Sequence, residues 1–329
     1  MTQSGNDFTS SPIVDCDAGE VFSGTPSGRM AKGYAAPSSF TPVLQPGYIF
    51  HEHSRDLIVW FLDAAEPLYV FGPMGSGKSS CIRQLAARLN YPVFEVTGHG
   101  RMEFTDLVGH HSVHQGGMRF EYGPLALAMK HGGLFLLNEI DLLDPSTAAG
   151  LNGTLDGQPL CIPENNGELI APHPMFRFAA TANSNGGSDE TGLYQGVLRQ
   201  NIAFMDRFRL CEMGYPKPEA EESLLAQAAP DLPEAIRKKM VEYAGEVRRL
   251  FMGEQSYCGN SIEVTFSTRT LLRWADLAVR YRPLSRQGIQ PMSYALDRAL
   301  GFRACRETRA MLHELVQRVF PVSGSTTGE

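Results

Sequence analysis

No apolar run in this chain approaches the roughly 18 residues that a membrane-spanning helix needs. The opening stretch MTQSGNDFTSSPIVDCDAGE has neither a basic n-region nor an apolar h-region. Together these absences point away from a membrane or secretory route, and a cytoplasmic location is the expectation. The six cysteines (Cys16, Cys81, Cys161, Cys211, Cys258 and Cys305) lie far apart, without a CxxC pair. That spacing fits neither a zinc ribbon nor a disulfide framework, and reduced thiols, mostly in the core, are expected. A broad basic field is missing too. The net charge is -7, and the basic runs are as short as IRKK and VRR, which read as solvated helix faces. Direct nucleic-acid binding is not expected, and no internal repeat is visible.

What is present is enough apolar material, 43% of 329 residues, for one large domain and a smaller one, each with its own core. Residues 1–46 are rich in Ser, Gly, Thr and Pro without sustained periodicity, and read as a mostly unpacked, flexible extension. Across 47–213, short β-rich runs (LYVF, YPVFEV, GGLFLLNEI, MFRFAATAN) alternate with helical ones such as SSCIRQLAARLN. Such alternation predicts an α/β domain with a parallel sheet covered by helices. After the linker GYPKPE, residues 214–320 carry only helical patterns and form a candidate lid, and 321–329 read as a loose tail.

The stretch Gly72, Pro73, Met74, Gly75, Ser76, Gly77, Lys78, Ser79 fits G-x-x-x-x-G-K-[ST], with Ser80 opening the helix that follows. Its glycines let successive backbone N–H groups turn inward around phosphates at a positive helix N-terminus. Lys78 is expected to reach the β and γ phosphates of ATP, and Ser79 to hold Mg²⁺. A second motif, GGLFLLNEIDLL, ends a buried strand in Asn138, Glu139 and Asp141. Glu139 suits polarising an attacking water. Asn138 stands where such strands usually carry Asp, and a neutral amide holds Mg²⁺-bound water less strongly than a carboxylate does. Asp141 is a candidate to compensate. Asn183, at the end of MFRFAATANS, reaches the sheet edge where open α/β sheets bind ligands, and suits a sensor that orients the lytic water. Arg207 in FMDRFRL and Arg269, in the first turn of a helix capped by Ser267 or Thr268, are candidates to stabilise charge on a transferring phosphoryl group. One would act across a subunit boundary and the other from the lid.

The set GPMGSGKS, LFLLNEID, FAATANS, FMDRF and STRTLLRWA resembles an AAA+ ATPase of the MoxR type. Within that family, the stretch from 171 to 208 is similar to the CobS group, the ATPase subunits of aerobic cobaltochelatase. The resemblance runs from about residue 50 to 310 and omits the N-terminal extension. It implies Lys78 and Ser79 as the Walker A pair, Glu139 as the Walker B glutamate and Asn183 as sensor 1. It also implies Arg207 as an arginine finger acting in trans and Arg269 as sensor 2. Further implications are a homo-oligomer, a hexameric ring, and a partner bearing a von Willebrand A domain, with metal insertion or cofactor maturation as the CobS-like role.

Two alternatives stay open on the residues alone: a motor subunit of a restriction or mobile-element system, and a P-loop small-molecule kinase. No residue is recognised that reads the base, so GTP stays open beside ATP. Two glycine-marked inserts, GHHSVHQGGMRFEYGPLALAMKHGG and GQPLCIPENNGELIAPHP, have hairpin patterns, the latter setting Leu160 and Ile162 against Leu169 and Ile170 across PENNG. His99, His110, His111 and His114 lack a Cys or carboxylate at ligand spacing, and a metal site is expected neither there nor at His51 and His53.

Overall fold

The computed structural model describes residues 11–63, 66–114, 117–187, 198–251 and 264–320. The expected loose tail at 321–329, Cys258 and the side chain of His114 lie outside them. Two compact units emerge, one of Met1–Pro73 with Gly77–Gly214 and one of Met74–Ser76 with Tyr215–Glu329.

Residues 11–46 do not form the unpacked extension their composition suggests. They carry β1 (Ile13–Asp17), α1 (Ala18–Ser23) and β2 (Met30–Tyr34), with β1 and β2 antiparallel from Ile13 opposite Tyr34 to Asp17 opposite Met30. Asp17 organises the turn: its carboxylate accepts from the backbone N–H groups of Glu20, Ser27 and Gly28. These bonds, Ser27's above all, lower its pKa to about 2. The backbone N–H of Tyr34 donates to the Leu89 carbonyl (2.9 Å) and its buried hydroxyl to that of Gly132 (2.7 Å). Gly33 permits this approach, since a Cβ there would lie 2.6 Å from the Leu89 oxygen. The segment is therefore held by specific hydrogen bonds and close contacts, which leave no periodic trace.

Next come α2 (Ser54–Asp63), β3 (Leu68–Phe71), α3 (Lys78–Arg88), β4 (Val93–Thr97), α4 (Phe104–Val108), the hairpin β5 (Gly109–His114) and β6 (Gly117–Tyr122), α5 (Pro124–His131) and β7 (Leu134–Asn138). They are followed by α6 (Pro145–Gly150), α7 (Asn152–Leu155), the hairpin β8 (Leu160–Ile162) and β9 (Glu168–Ile170), β10 (Arg177–Ala182), α8 (Ile202–Met205) and β11 (Arg209–Glu212). Five strands form one parallel sheet in the order β11-β3-β10-β7-β4. Alternate residues of β3, β7 and β10 point to opposite faces. Tyr69, Phe135, Leu137, Phe178 and Ala180 enter one core, and Leu68, Val70, Leu134, Leu136 and Ala179 the other. A sheet covered on both faces explains why these strands read as continuous apolar runs. In the hairpin of β8 and β9, Leu160 faces Ile170, while Leu169 pairs with Cys161 and is exposed.

The second unit is helical: α9 (Pro218–Ala228), α10 (Glu234–Phe251), α11 (Thr268–Tyr281), α12 (Pro291–Ala299) and α13 (Arg306–Val319). Its core centres on Tyr243, Phe266 and Trp274, with Tyr243 and Trp274 ring centroids 4.8 Å apart. The VRR run is not a wholly solvated face. Arg248 is buried, bidentate to Glu221 (2.7 and 2.8 Å), and its Nε donates to the Phe266 carbonyl (2.7 Å). Among the described cysteines only Cys81 and Cys211 are buried; Cys16 is half-buried, and Cys161 and Cys305 are exposed.

Candidate nucleotide-binding site

Because the five strands run the same way, their C-terminal ends share one edge of the sheet. The P-loop leaves β3 there, Asn138 ends β7 there, and Asn183 follows β10. In the loop, Gly72, Gly75 and Gly77 take φ values of 145°, 75° and 98°. At Gly72 a Cβ would also sit 2.2 Å from the Met213 carbonyl oxygen, so conformation and space both demand glycine. Ser76 is buried and its Oγ has no partner. An orphan hydroxyl in a loop that opens a helix N-terminus fits a phosphate that would use it.

Lys78, the first residue of α3, is 8% exposed. Its Nζ donates to the carbonyls of Gly72 (2.8 Å) and Pro73 (3.0 Å) and to Asn183 Oδ1 (3.2 Å). Two residues picked out separately in the sequence therefore meet. Ser79 Oγ donates to Asn138 Oδ1 (2.5 Å), which also accepts from Thr181 Oγ1 (3.0 Å). Asn138 Nδ2 donates to Glu95 Oε1 (2.6 Å), and both Glu95 oxygens lie 3.2 Å from Arg83 Nη1. Thr181, Glu95 and Arg83 were not singled out from the sequence. Thr181 could have been, since strand alternation puts it on the same face as Asn183. Glu95 could not, because the pairing of β4 with β7 leaves no sequence signal.

Glu139 is exposed and takes φ 54°, ψ 43°, a left-handed conformation that costs a non-glycine residue of order 1 kcal/mol or more. The turn is closed by the Gly98 N–H, which donates to the Asn138 carbonyl at 2.7 Å. Asp141 is fully buried. Its Oδ2 accepts from the backbone N–H groups of Asn183 (2.9 Å) and Ser184 (3.2 Å), while Oδ1 has no partner. Burial raises its pKa against the lowering effect of those bonds. Its carboxylate thus holds the turn carrying Asn183, and Asn138 finds its acidic neighbour in Glu95 instead.

Arg207 lies at the other edge of the sheet. Arg209, two residues on, pairs with Leu68 at the start of β3, whereas the P-loop follows the end of that strand. Its Nε and Nη2 donate to Asp156 (2.9 and 3.2 Å), and it borders a cavity of about 400 Å³ with His173 and Arg177. Arg269 is the exposed second residue of α11. The cap is Ser267, whose Oγ accepts from the Thr270 N–H at 3.1 Å. Ser267 abuts Gly75 within the second unit: a Cβ on Gly75 would lie 2.4 Å from the Ser267 Cβ.

The oxygen donors that converge at the site, Ser79 Oγ, Asn138 Oδ1 and the carboxylate of Glu95, are the hard ligands that Mg²⁺ takes. Among the described residues, no three His, Cys, Asp or Glu side chains stand close enough to hold a metal by themselves. Such a set suits an ion that rests on one hydroxyl, nucleotide phosphates and water. The exposed hairpin residue His111 instead meets the Glu164 carbonyl oxygen at 2.7 Å through Nε2.

Comparison with known proteins agrees with this geometry. Residues 67–199 match the AAA domain of the dynein-related subfamily, and residues 221–319 match the CbbQ/NirQ/NorQ C-terminal domain. The chain is similar to the aerobic cobaltochelatase subunit CobS of Sinorhizobium sp, 29% identical over 84% of each chain. It is also similar to the denitrification regulatory protein NirQ of Stutzerimonas stutzeri, 28% identical over 67% of this chain and 78% of that one. Protein CbbQ of Hydrogenophilus thermoluteolus is 27% identical over 65% of this chain and 74% of its own. With a P-loop sheet in the order β11-β3-β10-β7-β4 and a helical C-terminal unit that each match their own domain family, the chain belongs to the AAA+ ATPases of the MoxR type.

Proposed function

We propose that this protein hydrolyses ATP with Mg²⁺ at the P-loop edge of its sheet and does so as a ring of identical subunits, six being the number its family resemblance implies. The observation that carries this reading is the convergence of Lys78, Ser79, Asn138 and Asn183 at one sheet edge while Arg207 stands at the other. In the first step the loop N–H groups and Lys78 bind the phosphates, with Lys78 exchanging its carbonyl partners for phosphate oxygens. Mg²⁺, when bound, would neutralise charge on the β and γ phosphates, with Ser79 holding it directly and Asn138 through water. Glu139 then takes the proton of the attacking water, and Asn183 orients that water. A strand of four residues is about 13 Å long, so an Arg207 at its far end is suited to a neighbour's phosphate rather than its own. Arg269, in the first turn of α11, is proposed as a second cation from the family resemblance of its motif.

The work done with that energy is proposed to be remodelling of a protein partner. Similarity to the aerobic cobaltochelatase subunit CobS supports metal insertion or cofactor maturation; a cytoplasmic location and a von Willebrand A domain companion are proposed with it from the family resemblance. The test of the shared site is to mix Arg207→Ala subunits with Glu139→Gln subunits. Each is expected to be inactive alone, and mixtures to recover hydrolysis where an intact Arg207 meets an intact Glu139. Absence of recovery at every ratio, with assembly verified by size, would refute a trans role for Arg207.

A further inference from the structure

Asn138 leaves the second motif without a negative charge at the position nearest Ser79, yet a carboxylate is only one amide away. The orientation of that amide is fixed by its neighbours. Two hydroxyls, Ser79 Oγ and Thr181 Oγ1, donate to Oδ1, and Glu95 Oε1 accepts from Nδ2. A flipped amide would turn its oxygen toward a carboxylate. Glu95 is held in turn by Arg83, which lies one helical turn after Ser79 on α3. The Glu95 side chain is 29% exposed, whereas Asn138 is 8% exposed. The charge therefore sits at the solvent side of the site and the neutral relay inside it.

We propose that Glu95 is a positioning residue for the divalent cation: through Asn138 it supplies the negative charge that the second motif lacks at position 138. This rests on the nucleotide-site reading above. A carboxylate accepting from Nδ2 polarises the amide and makes Oδ1 a better acceptor toward Ser79 or a metal-bound water. Partners one step beyond a metal's ligands commonly change its affinity by 10- to 100-fold. The amide also separates the charge from Ser79, so aspartate at 138 would bring two carboxylates to hydrogen-bond distance with no proton between them.

The experiment is a Mn²⁺ titration followed by electron paramagnetic resonance, with ADP bound to the full-length protein. Glu95→Gln keeps an acceptor for Asn138 Nδ2 and removes only the charge, so folding is expected to be retained, as a thermal melt would verify. Its Mn²⁺ affinity is expected to fall about tenfold, within the range for such partners. Asn138→Asp alone is expected to bind less well than Asn138→Asp combined with Glu95→Gln, because only the double variant moves the single charge inward without repulsion. Unchanged Mn²⁺ affinity in a folded Glu95→Gln variant that still binds ADP would overturn the role of Glu95 and leave the nucleotide site standing. Failure of the unmodified protein to bind ADP at all would overturn both.

Discussion

Two buried polar arrangements in this protein differ in how fully they are satisfied. In the helical unit, Arg248 uses Nε and both terminal nitrogens on Glu221 and the Phe266 carbonyl, and its guanidinium carbon lies 4.0 Å from the Tyr215 ring centroid. Glu221 Oε1 also accepts from Thr268 Oγ1 at 2.6 Å. Around the P-loop, by contrast, Ser76 Oγ and Asp141 Oδ1 are buried without partners, and Glu139 is held in a left-handed conformation. A closed network lowers the energy of the fold, whereas orphaned groups and backbone strain persist where a ligand completes them. The first arrangement is read as structure and the second as a site, although both contain a buried cation.

The sharpest way to break that distinction is to remove each cation. Lys78→Ala is expected to weaken ATP binding by about 100-fold, the upper range for losing charge-assisted hydrogen bonds to phosphate, with little change in melting temperature. Titration with a fluorescent ATP analogue beside a thermal melt checks both halves. Unaltered affinity would mean that the loop does not bind phosphate.

Arg248→Ala should do the opposite. Deleting one partner strands Glu221 in the core and is expected to cost about 3–5 kcal/mol in a denaturant melt, with the affinity for ATP little changed. Arg248→Met with Glu221→Leu removes both charges at similar volume and should cost far less. If the double variant is as unstable as the single one, the network contributes by shape and not by paired charge.

Legibility in the sequence followed the same division. The P-loop, the strand ending in Asn138 with Glu139 just after it, and Asn183 could be read because each joins a fixed motif to a strand of apolar residues, and the sheet delivers strand ends to one edge. Arg248 could not be read that way. Its neighbours Lys239, Arg249 and Glu246 make α10 look like a solvated face, and only the distant partner Glu221 shows that one arginine turns inward. Glu95 was hidden for a similar reason, because its meaning comes from the strand beside it. The N-terminal segment failed on composition: Ser, Gly and Pro there serve turns around Asp17 and a close approach at Gly33, not disorder.

Asp17 offers the smallest and most conditional effect, because its network is satisfied but lies at the surface. Its folded pKa of about 2 is below the usual 3.8, so the ionised form is favoured by folding. The stability it adds is present above the unfolded value and is lost as the pH falls through the folded one, a window from about pH 4 to pH 2. Asp17→Ala is therefore expected to lower the melting temperature modestly at pH 7, with the gap to the unmodified protein beginning to narrow below about pH 4. Melts at pH 7, 5, 4 and 3 would follow this. A gap that stays constant over that range would mean that the turn is held by the shape of residues 24–28 and that the charge on Asp17 contributes nothing to it.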